Sequence, residues 1–179
     1  MIVGITGYLA SGKDTVADIL IKKGFNHYSL SDELRAILKE RGVESTRENQ
    51  QKIGNELREK YGSEYLAKRV IEKVTEPSVI TSIRSVGETS FLKNKGMKLI
   101  FVDAPIELRY ERIQNRKREG EGILSFEQFK AQEDFEKGSN SNSQQLHLVA
   151  EMADYTIINS GTLDELDSKI DKILEEIHA

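Results

Sequence analysis

The stretch "MIVGITGYLASGKDT", residues 1–15, decides the fold of this chain. Its β-branched, apolar beginning is typical of a buried strand, and Gly7 ends that run. Gly7 to Lys13 then reads G-x-x-x-x-G-K, and the apolar residues from Val16 to Leu20 fall on one face of a following helix. A strand, a glycine-rich loop and a helix in this order predict a phosphate-binding loop.

The chemistry of such a loop follows from its backbone. Glycines let successive N–H groups turn toward phosphate oxygens, and the helix N-terminus adds positive potential. Lys13 is placed to reach the outer phosphates of ATP. The predicted phosphate-binding residues are Gly7, Ala10, Ser11, Gly12, Lys13, Asp14 and Thr15.

Asp14 stands where the loop pattern has Ser or Thr, whose hydroxyl would bind Mg²⁺. A carboxylate can bind the metal or its waters, and it can also act simply as a first-turn acid that the helix dipole favours. We place the role at the metal first, because Mg²⁺ screens the charge beside a polyphosphate. Thr15 offers a hydroxyl one residue later, so Asp14 and Thr15 are the candidate Mg²⁺ ligands.

Composition narrows the classes of partner. The chain has 179 residues, a net charge of -4 and no cysteine. This acidic balance argues against a nucleic-acid or membrane-surface binder, since both need a basic footprint. The first residues form a strand pattern with no basic region ahead of it, which differs from a signal peptide. We therefore expect a cytoplasmic protein with no nucleic-acid or membrane partner.

Four more apolar segments alternate with helical patterns: "FNHYSL", "VITSI", "KLIFVDA" and "YTIIN". This alternation predicts an α/β fold of three layers, with a mainly parallel sheet of about five strands flanked by helices. We expect one domain over residues 1–179. Two insertions in its core are predicted, a helical acceptor-binding region at about 32–75 and a lid at about 112–145.

Helix starts are indicated by Ser or Thr followed three residues later by Glu or Gln. Ser45 with Glu48, Ser125 with Gln128 and Thr162 with Glu165 fit this pattern. A helix is also predicted over residues 32–41. The last helix carries one apolar stripe, formed by Leu163, Leu166, Ile170, Ile173, Leu174 and Ile177.

Beyond the loop, the chain resembles two families of kinases. "SGKDT" after a first strand, "TRENQQKIGNELREKYGSEYL" and "VITSIRSVGETSFLKNKG" resemble phage and bacterial deoxynucleoside monophosphate kinases. "VDAPIELRYERIQNR" and "ADYTIINSGTLDELDSKI" are similar to dephospho-coenzyme A kinase. Both resemblances imply a P-loop kinase that uses ATP and Mg²⁺ to phosphorylate a small nucleotide-like acceptor. A (deoxy)nucleoside monophosphate is placed first and dephospho-coenzyme A second.

The resemblance implies that arginines hold the acceptor. Arg84 follows a strand whose carboxyl end is the ligand-binding edge of an open α/β sheet. It matches the Arg of an Asp-Val-Arg segment in the monophosphate kinases, whereas the Asp of that segment is Ser82 here. Arg58 matches a second arginine of that family, and Arg47 a third. A surface arginine is the alternative interpretation for each.

Asp32 and Arg35 follow the second strand. Arg35 resembles a monophosphate kinase arginine that grips the acceptor phosphate. Asp32 matches an aspartate that lies near the acceptor hydroxyl in dephospho-coenzyme A kinases, and it also suits a helix N-cap. Both interpretations of Asp32 stay open. The predicted acceptor-binding residues are Asp32, Arg35, Arg58 and Arg84.

Arg109, Arg112 and Arg116 share one helix face before a glycine-rich break, where the resemblance puts the lid. A lid arginine would approach the phosphates as the site closes. The alternative is a solvated face that pairs with Glu107 and Glu111. We predict Lys13, Arg84, Arg112 and Arg116 as the catalytic residues.

Two other classes of P-loop protein fit the sequence less well than a kinase. A switch-type P-loop protein would carry an Asp-x-x-Gly after the third strand or an Asn-Lys-x-Asp for guanine, and the sequence has neither. A noncatalytic nucleotide-binding module would not need an arginine-rich closing segment. The sequence leaves the oligomeric state open between a monomer and a homodimer.

Overall fold

The computed structural model describes residues 1–116, 125–138 and 142–178. Its sheet has five strands in the order β2-β3-β1-β4-β5, and every neighbouring pair is parallel. The strands are β1 (Ile2–Gly7), β2 (Asn26–Ser29), β3 (Ser78–Thr81), β4 (Met97–Asp103) and β5 (Tyr155–Ile158). Because all five run the same way, their carboxyl ends lie along one edge of the sheet.

Helices connect the strands and cover both faces of the sheet. They are α1 (Lys13–Lys22), α2 (Leu30–Glu40), α3 (Arg47–Tyr61), α4 (Tyr65–Ile71), α5 (Val86–Asn94), α6 (Ile106–Arg116), α7 (Phe126–Gly138), α8 (Asn142–Glu151) and α9 (Leu163–His178). Part of the predicted lid range, residues 117–124 and 139–141, lies outside the described residues. Within the described part, α7 and the first four residues of α8 fall in that range, and α3, α4 and most of α2 fall in the predicted acceptor-binding range.

Two apolar clusters make the fold three-layered. Successive strand residues point to opposite faces, so Ile80 packs in one cluster and Val79 in the other. The Ile80 side is covered by α2 to α5 and α8, and the Val79 side by α1 and α9. This architecture confirms the predicted fold class, a parallel sheet of five strands flanked by helices.

Several predicted helix starts are corrected by the structure. Helix α2 begins at Leu30, and Ser29 caps it by accepting a hydrogen bond from the backbone of Asp32. Asp32 is therefore not the N-cap. Helix α3 is capped by Thr46 and not by Ser45, because the side chain of Thr46 accepts from the backbone of Asn49. In both helices the N-cap is a hydroxyl residue one to three positions from the predicted one.

The other two capping predictions are confirmed. Ser125 and Gln128 exchange hydrogen bonds at the start of α7, and Thr162 and Glu165 do so at the start of α9. The prediction is wrong for one residue of the apolar stripe of α9, because Leu163 is 66% exposed, whereas Leu166 is buried.

A buried carboxylate ties α2 to α4 and the turn that follows it. Glu33 is only 6% exposed and accepts hydrogen bonds of 2.6 Å from both Arg69 Nε and Lys73 Nζ. Burial by itself would raise the pKa of Glu33, but the two cations outweigh it and hold that pKa below its ordinary value. The helical layer beside the second and third strands is thus fixed partly by charge.

Among the helices that the structure describes, none combines the length and apolar composition that crossing a membrane requires.

Candidate functional site

The glycine-rich loop occupies the turn from β1 into α1, at the carboxyl edge of the sheet. Ala10 and Gly12 adopt left-handed backbone conformations, with φ of 59° and 93°. A Cβ on Gly12 would overlap the side-chain amide of Asn159, so only glycine fits there. The loop therefore has the tight, glycine-dependent turn that presents backbone N–H groups.

Helix α1 places its N-terminus at this loop. Its first backbone bond runs from the N–H of Val16 to the carbonyl of Gly12, at 3.1 Å. The N–H groups before Val16 have no carbonyl one turn earlier in the helix, which is the usual state of a helix start. Together with the helix dipole, this arrangement makes an anion-binding end. Lys13, the first residue of α1, is half-buried there.

Two side chains bind the backbone carbonyls of the loop. The Arg112 guanidinium donates to the carbonyls of Ala10 and Ser11, at 3.3 and 3.2 Å, and to the carbonyl of Asn159 at 2.9 Å. The Asn159 amide donates to the Ser11 carbonyl at 2.8 Å. With their carbonyls held by these donors, the loop peptides are fixed in orientation. Arg112 therefore lies on loop carbonyl oxygens in this structure.

A pocket of about 380 Å³ adjoins the loop. Its lining combines glycine backbone, a guanidinium, polar amide and hydroxyl groups and one exposed leucine. The lining residues are Ala10, Gly12, Thr15, Arg112, Asn115, Asn159, Gly161, Thr162 and Leu163. This pocket explains why Leu163 departs from the buried stripe of α9, since its side chain faces the opening and not the core.

On the other side of the loop, β3 ends in a strained turn. Ser82 has a left-handed backbone, with φ of 64°, and its hydroxyl lies 3.3 Å from that of Ser29 at the end of β2. The buried hydroxyl of Thr6 donates to the carbonyl of Ile83 at 2.7 Å and fixes this turn against β1. A neutral serine pair thus occupies the position where the resemblance would place a carboxylate.

Glu88 organises the segment that carries Arg84. Its carboxylate accepts from the backbone N–H groups of Arg84 and Ser85, at 2.9 and 3.0 Å, and Ser85 caps α5 in return. Burial raises the pKa of Glu88, and the nearby charge of Arg58 acts in the opposite direction. The side chain of Arg84 itself is exposed, so this edge presents it to solvent.

Arg58 lies across from that segment on α3. It is half-buried, and its Nη1 donates to Asn55 Oδ1 at 3.2 Å. Its buried Nε has no hydrogen-bond partner in the described part of the chain. Gly54, one turn earlier, leaves room for the guanidinium, because a Cβ there would lie 3.4 Å from Nη1. The charge of Arg58 favours the ionised form of Glu88, which binds the Arg84 backbone, so the two arginines are linked through Glu88.

The remaining predicted residues fall into different environments. Asp32 and Arg35 form an exposed ion pair on α2. Arg116 ends α6, but its side chain lies outside the described part. Arg109 is buried in the protein and is not on a solvated face: it is 3% exposed, and Glu133 of α7 binds it with two hydrogen bonds.

The residues present fit Mg²⁺ only as partial ligands. Mg²⁺ prefers oxygen donors and commonly takes one or two protein groups together with substrate phosphates. Asp14 is an exposed first-turn carboxylate, and Thr15 lines the pocket beside the loop. The described residues contain no group of three or more acidic, His or Cys side chains that could hold a metal by themselves. Phosphate oxygens would have to complete the coordination.

Sequence reasoning missed three residues of this site. Asn159, Glu88 and Asn115 were not singled out as site residues, yet Asn159 holds the loop, Glu88 anchors Arg84, and Asn115 lines the pocket. The one available signal for Asn159 was its position directly after a strand, because that edge of a parallel sheet collects ligand-binding groups.

Comparison with known proteins shows what this chain is similar to. The family model described as "AAA domain" matches residues 3–137. The UPF0200 protein TK1334 of Thermococcus kodakarensis is 30% identical over an alignment of 191 positions, gaps included. The alignment covers 99% of this chain and 98% of that protein. A UPF0200 protein of Aeropyrum pernix is 32% identical, and the alignment covers 93% of this chain and 88% of that protein.

A UPF0200/UPF0201 protein of Archaeoglobus fulgidus is 34% identical, and this chain spans about half of its length, 54%. Among solved structures, shikimate kinase from Bacteroides thetaiotaomicron superposes with a TM-score of 0.63 at 14% identity, covering 98% of both chains. Dephospho-CoA kinase from Campylobacter jejuni gives 0.59 at 18% identity, covering 98% of this chain and 96% of that one. At these identities the likeness shows a shared P-loop kinase fold.

Proposed function

We propose that this chain, which belongs to the AAA domain family and to the UPF0200 family, is an ATP-dependent phosphotransferase for a small nucleotide-like acceptor. One observation carries the proposal. The anion-binding loop at the start of α1 lies between a pocket of about 380 Å³ and a sheet edge that carries arginines. Donor and acceptor could therefore approach the same phosphate site from two sides.

The donor side suits ATP. Backbone N–H groups of the loop and the start of α1 would bind the phosphates, with Lys13 on the outer ones. The pocket would take the nucleobase, because the planar guanidinium of Arg112 offers a stacking surface and Asn115 and Thr162 offer polar groups at its wall. Arg112 would thus serve the donor by holding the loop and stacking on the base.

Mg²⁺ would be held by ATP phosphate oxygens together with Asp14 or Thr15, and when bound it supplies positive charge to the transferring group. The protein's own part is positional. Phosphoryl transfer needs in-line oxygens and positive charge around the moving group more than it needs a covalent participant.

The acceptor side favours an anionic group. Arg58 acts electrostatically on Glu88, which binds the Arg84 backbone, and the serine pair of Ser29 and Ser82 brings no charge of its own to this edge. A phosphate acceptor requires cations and no general base, so this edge supports a (deoxy)nucleoside monophosphate. Its phosphate oxygen would attack the γ-phosphorus of ATP, a new P–O bond would form, and ADP would leave.

A hydroxyl acceptor such as dephospho-coenzyme A is the second candidate. It is favoured by the exposed carboxylate of Asp32, three residues after the end of β2, which could accept the hydroxyl proton during the attack. In this reading Arg35, which is paired with Asp32, would orient the carboxylate. In the monophosphate reading Arg35 would instead contact the acceptor phosphate.

The lid remains a proposal of its own. Helix α7 and the start of α8 belong to the 112–145 range, and Arg116 at the end of α6 is the residue from which we expect charge to reach the phosphates on closure.

The deciding experiment is ADP release from Mg-ATP in the presence of nucleoside monophosphates, deoxynucleoside monophosphates or dephospho-coenzyme A. We expect turnover on one monophosphate class, with Lys13→Ala abolishing it while the fold stays intact by circular dichroism. Turnover on dephospho-coenzyme A alone would favour the hydroxyl mechanism. Hydrolysis that no acceptor stimulates, or full activity of Lys13→Ala, would contradict a P-loop phosphotransferase.

A further inference from the structure

The buried guanidinium of Arg109 joins the phosphate loop to α7. Its Cζ lies 5.1 Å from the centre of the Tyr8 ring and 5.9 Å from that of Phe129 in α7. The Tyr8 ring in turn meets the ring of Phe101 in β4 edge-on, at 5.1 Å. Tyr8, the first residue after Gly7 in the loop, is thus packed between β4 and Arg109.

Glu133 of α7 determines where this guanidinium lies. Its two carboxylate oxygens accept from Nη1 and Nη2 of Arg109, at 2.5 and 2.8 Å, and the Ala104 carbonyl accepts from Nε at 2.9 Å. Arg109 is 3% exposed, so its charge needs these partners. Asp103 Oδ1 lies 3.7 Å from Nε, so Glu133 of α7 makes the closer of two carboxylate contacts that balance the charge buried under Tyr8.

Helix α6, which carries Arg109, contacts the loop at a second point. Arg112, one turn after Arg109, donates to the carbonyls of Ala10 and Ser11. Helix α6 therefore contacts the first loop residue through Arg109 and the last ones through Arg112. A shift of the Arg109 guanidinium would therefore move Tyr8, at the end of the loop that Arg112 does not contact.

We infer that Arg109 and Glu133 are positioning residues that set the phosphate loop through Tyr8, so that docking of α7 and nucleotide affinity are coupled. This rests on the proposed function, because it assigns the loop to a nucleotide. The physical link is short: α7 places the Glu133 carboxylate, the carboxylate orients the guanidinium, and the guanidinium supports the Tyr8 ring.

A double-mutant cycle on Mg-ADP binding tests the coupling. Glu133→Gln should weaken the calorimetric Kd about three- to tenfold in the otherwise unchanged protein, within the range for residues in contact. In a Tyr8→Leu background the same change should have no further effect, because the ring that transmits it is gone. A structural role of Glu133 alone would weaken binding by one factor in both backgrounds and overturn the inference.

Controls separate this result from loss of folding. Glu127→Gln removes an exposed carboxylate from the first turn of α7 and should leave the Kd unchanged in both backgrounds. Arg109→Lys keeps the charge but loses the two-pronged pairing, so it repeats the cycle if Glu133→Gln does not fold. An effect of Glu127→Gln equal to that of Glu133→Gln would contradict a specific role for the pair.

A second readout does not depend on nucleotide binding. The chain contains no tryptophan, so Tyr8→Trp introduces a single tryptophan into the loop, whose emission can be excited selectively over that of the remaining tyrosines. Glu133→Gln should shift its emission maximum in the nucleotide-free protein, and Glu127→Gln should not. If no variant binds Mg-ADP but this shift is seen, the proposed function fails while the positioning of Tyr8 by Glu133 stands. If nucleotide binds but neither the shift nor the cycle shows coupling, the inference is wrong.

Discussion

Single arginines that we propose to bind the acceptor can be tested against other arginines of the same helix. Arg58 is half-buried beside the Glu88 charge, and Gly54 makes space for its guanidinium. Arg47 is an exposed arginine at the start of α3, three turns away. Both matched the kinase resemblance in the sequence, and the structure gives them different surroundings.

Arg58→Ala should therefore raise the acceptor KM about tenfold to a hundredfold, the loss expected for a hydrogen bond to a charged group. The KM for ATP should change less than about twofold, since the donor pocket lies on the other side of the loop. Arg47→Ala should change neither value. Steady-state kinetics with each substrate varied will show this. A larger loss for Arg47→Ala, or a loss confined to ATP, would refute the acceptor role of Arg58.

At the scale of elements, the contact of α2 with α4 and its following turn depends on the ionised form of Glu33. Arg69 and Lys73 hold the pKa of Glu33 below its ordinary value of 4.5, despite burial acting the other way. A carboxyl whose pKa falls on folding stabilises the folded state above its unfolded pKa. That contribution is lost as the pH falls through the lower, folded pKa.

Glu33→Gln should lower the free energy of unfolding by about 1.5–3 kcal/mol at pH 7, the range for hydrogen bonds to charged groups. The difference from the unchanged protein should shrink as the pH is taken from about 5 toward 3. Urea unfolding across this range measures it. Glu59→Gln, an exposed carboxylate of α3, serves as the control and should cost little at any pH. A deficit for Glu33→Gln that stays constant down to pH 3 would be inconsistent with this account.

For the whole molecule, a bound nucleotide should act as a stabiliser because the proposed site joins the β1 loop, α1, α6 and the end of β5. Ligand at a hundred times its Kd adds about 2.7 kcal/mol to the folded state. For a chain of this size that corresponds to a rise in Tm of roughly 5–10 °C. Mg-ADP should produce this rise, as measured by thermal unfolding.

Lys13→Ala should keep the Tm of the ligand-free protein and lose most of the rise. Because we propose that the Lys13 side chain acts on phosphate, stability without ligand is the internal control. An equal rise in both proteins would mean that ADP binds elsewhere.

The sequence by itself determined the architecture and the phosphate loop. Both are local signals: a β-branched run, glycines at fixed spacing and apolar residues at helical period are readable without tertiary contacts. The alternation of strands and helices then predicted the parallel sheet, which the five strands confirm. The arginines were found as residue types, but their partners were not.

Only the tertiary structure decided what the arginines contact. Arg109 and Arg112 share one helix face in the sequence, yet one is buried on Glu133 and Tyr8 and the other holds loop carbonyls. Asn159 reaches Ser11 across 148 residues of chain. Such contacts depend on which strands lie side by side, and local propensity carries no information about a neighbour that distant. The sequence determined which side chains are available for binding, and the packing of the parallel strands determined which groups those side chains contact.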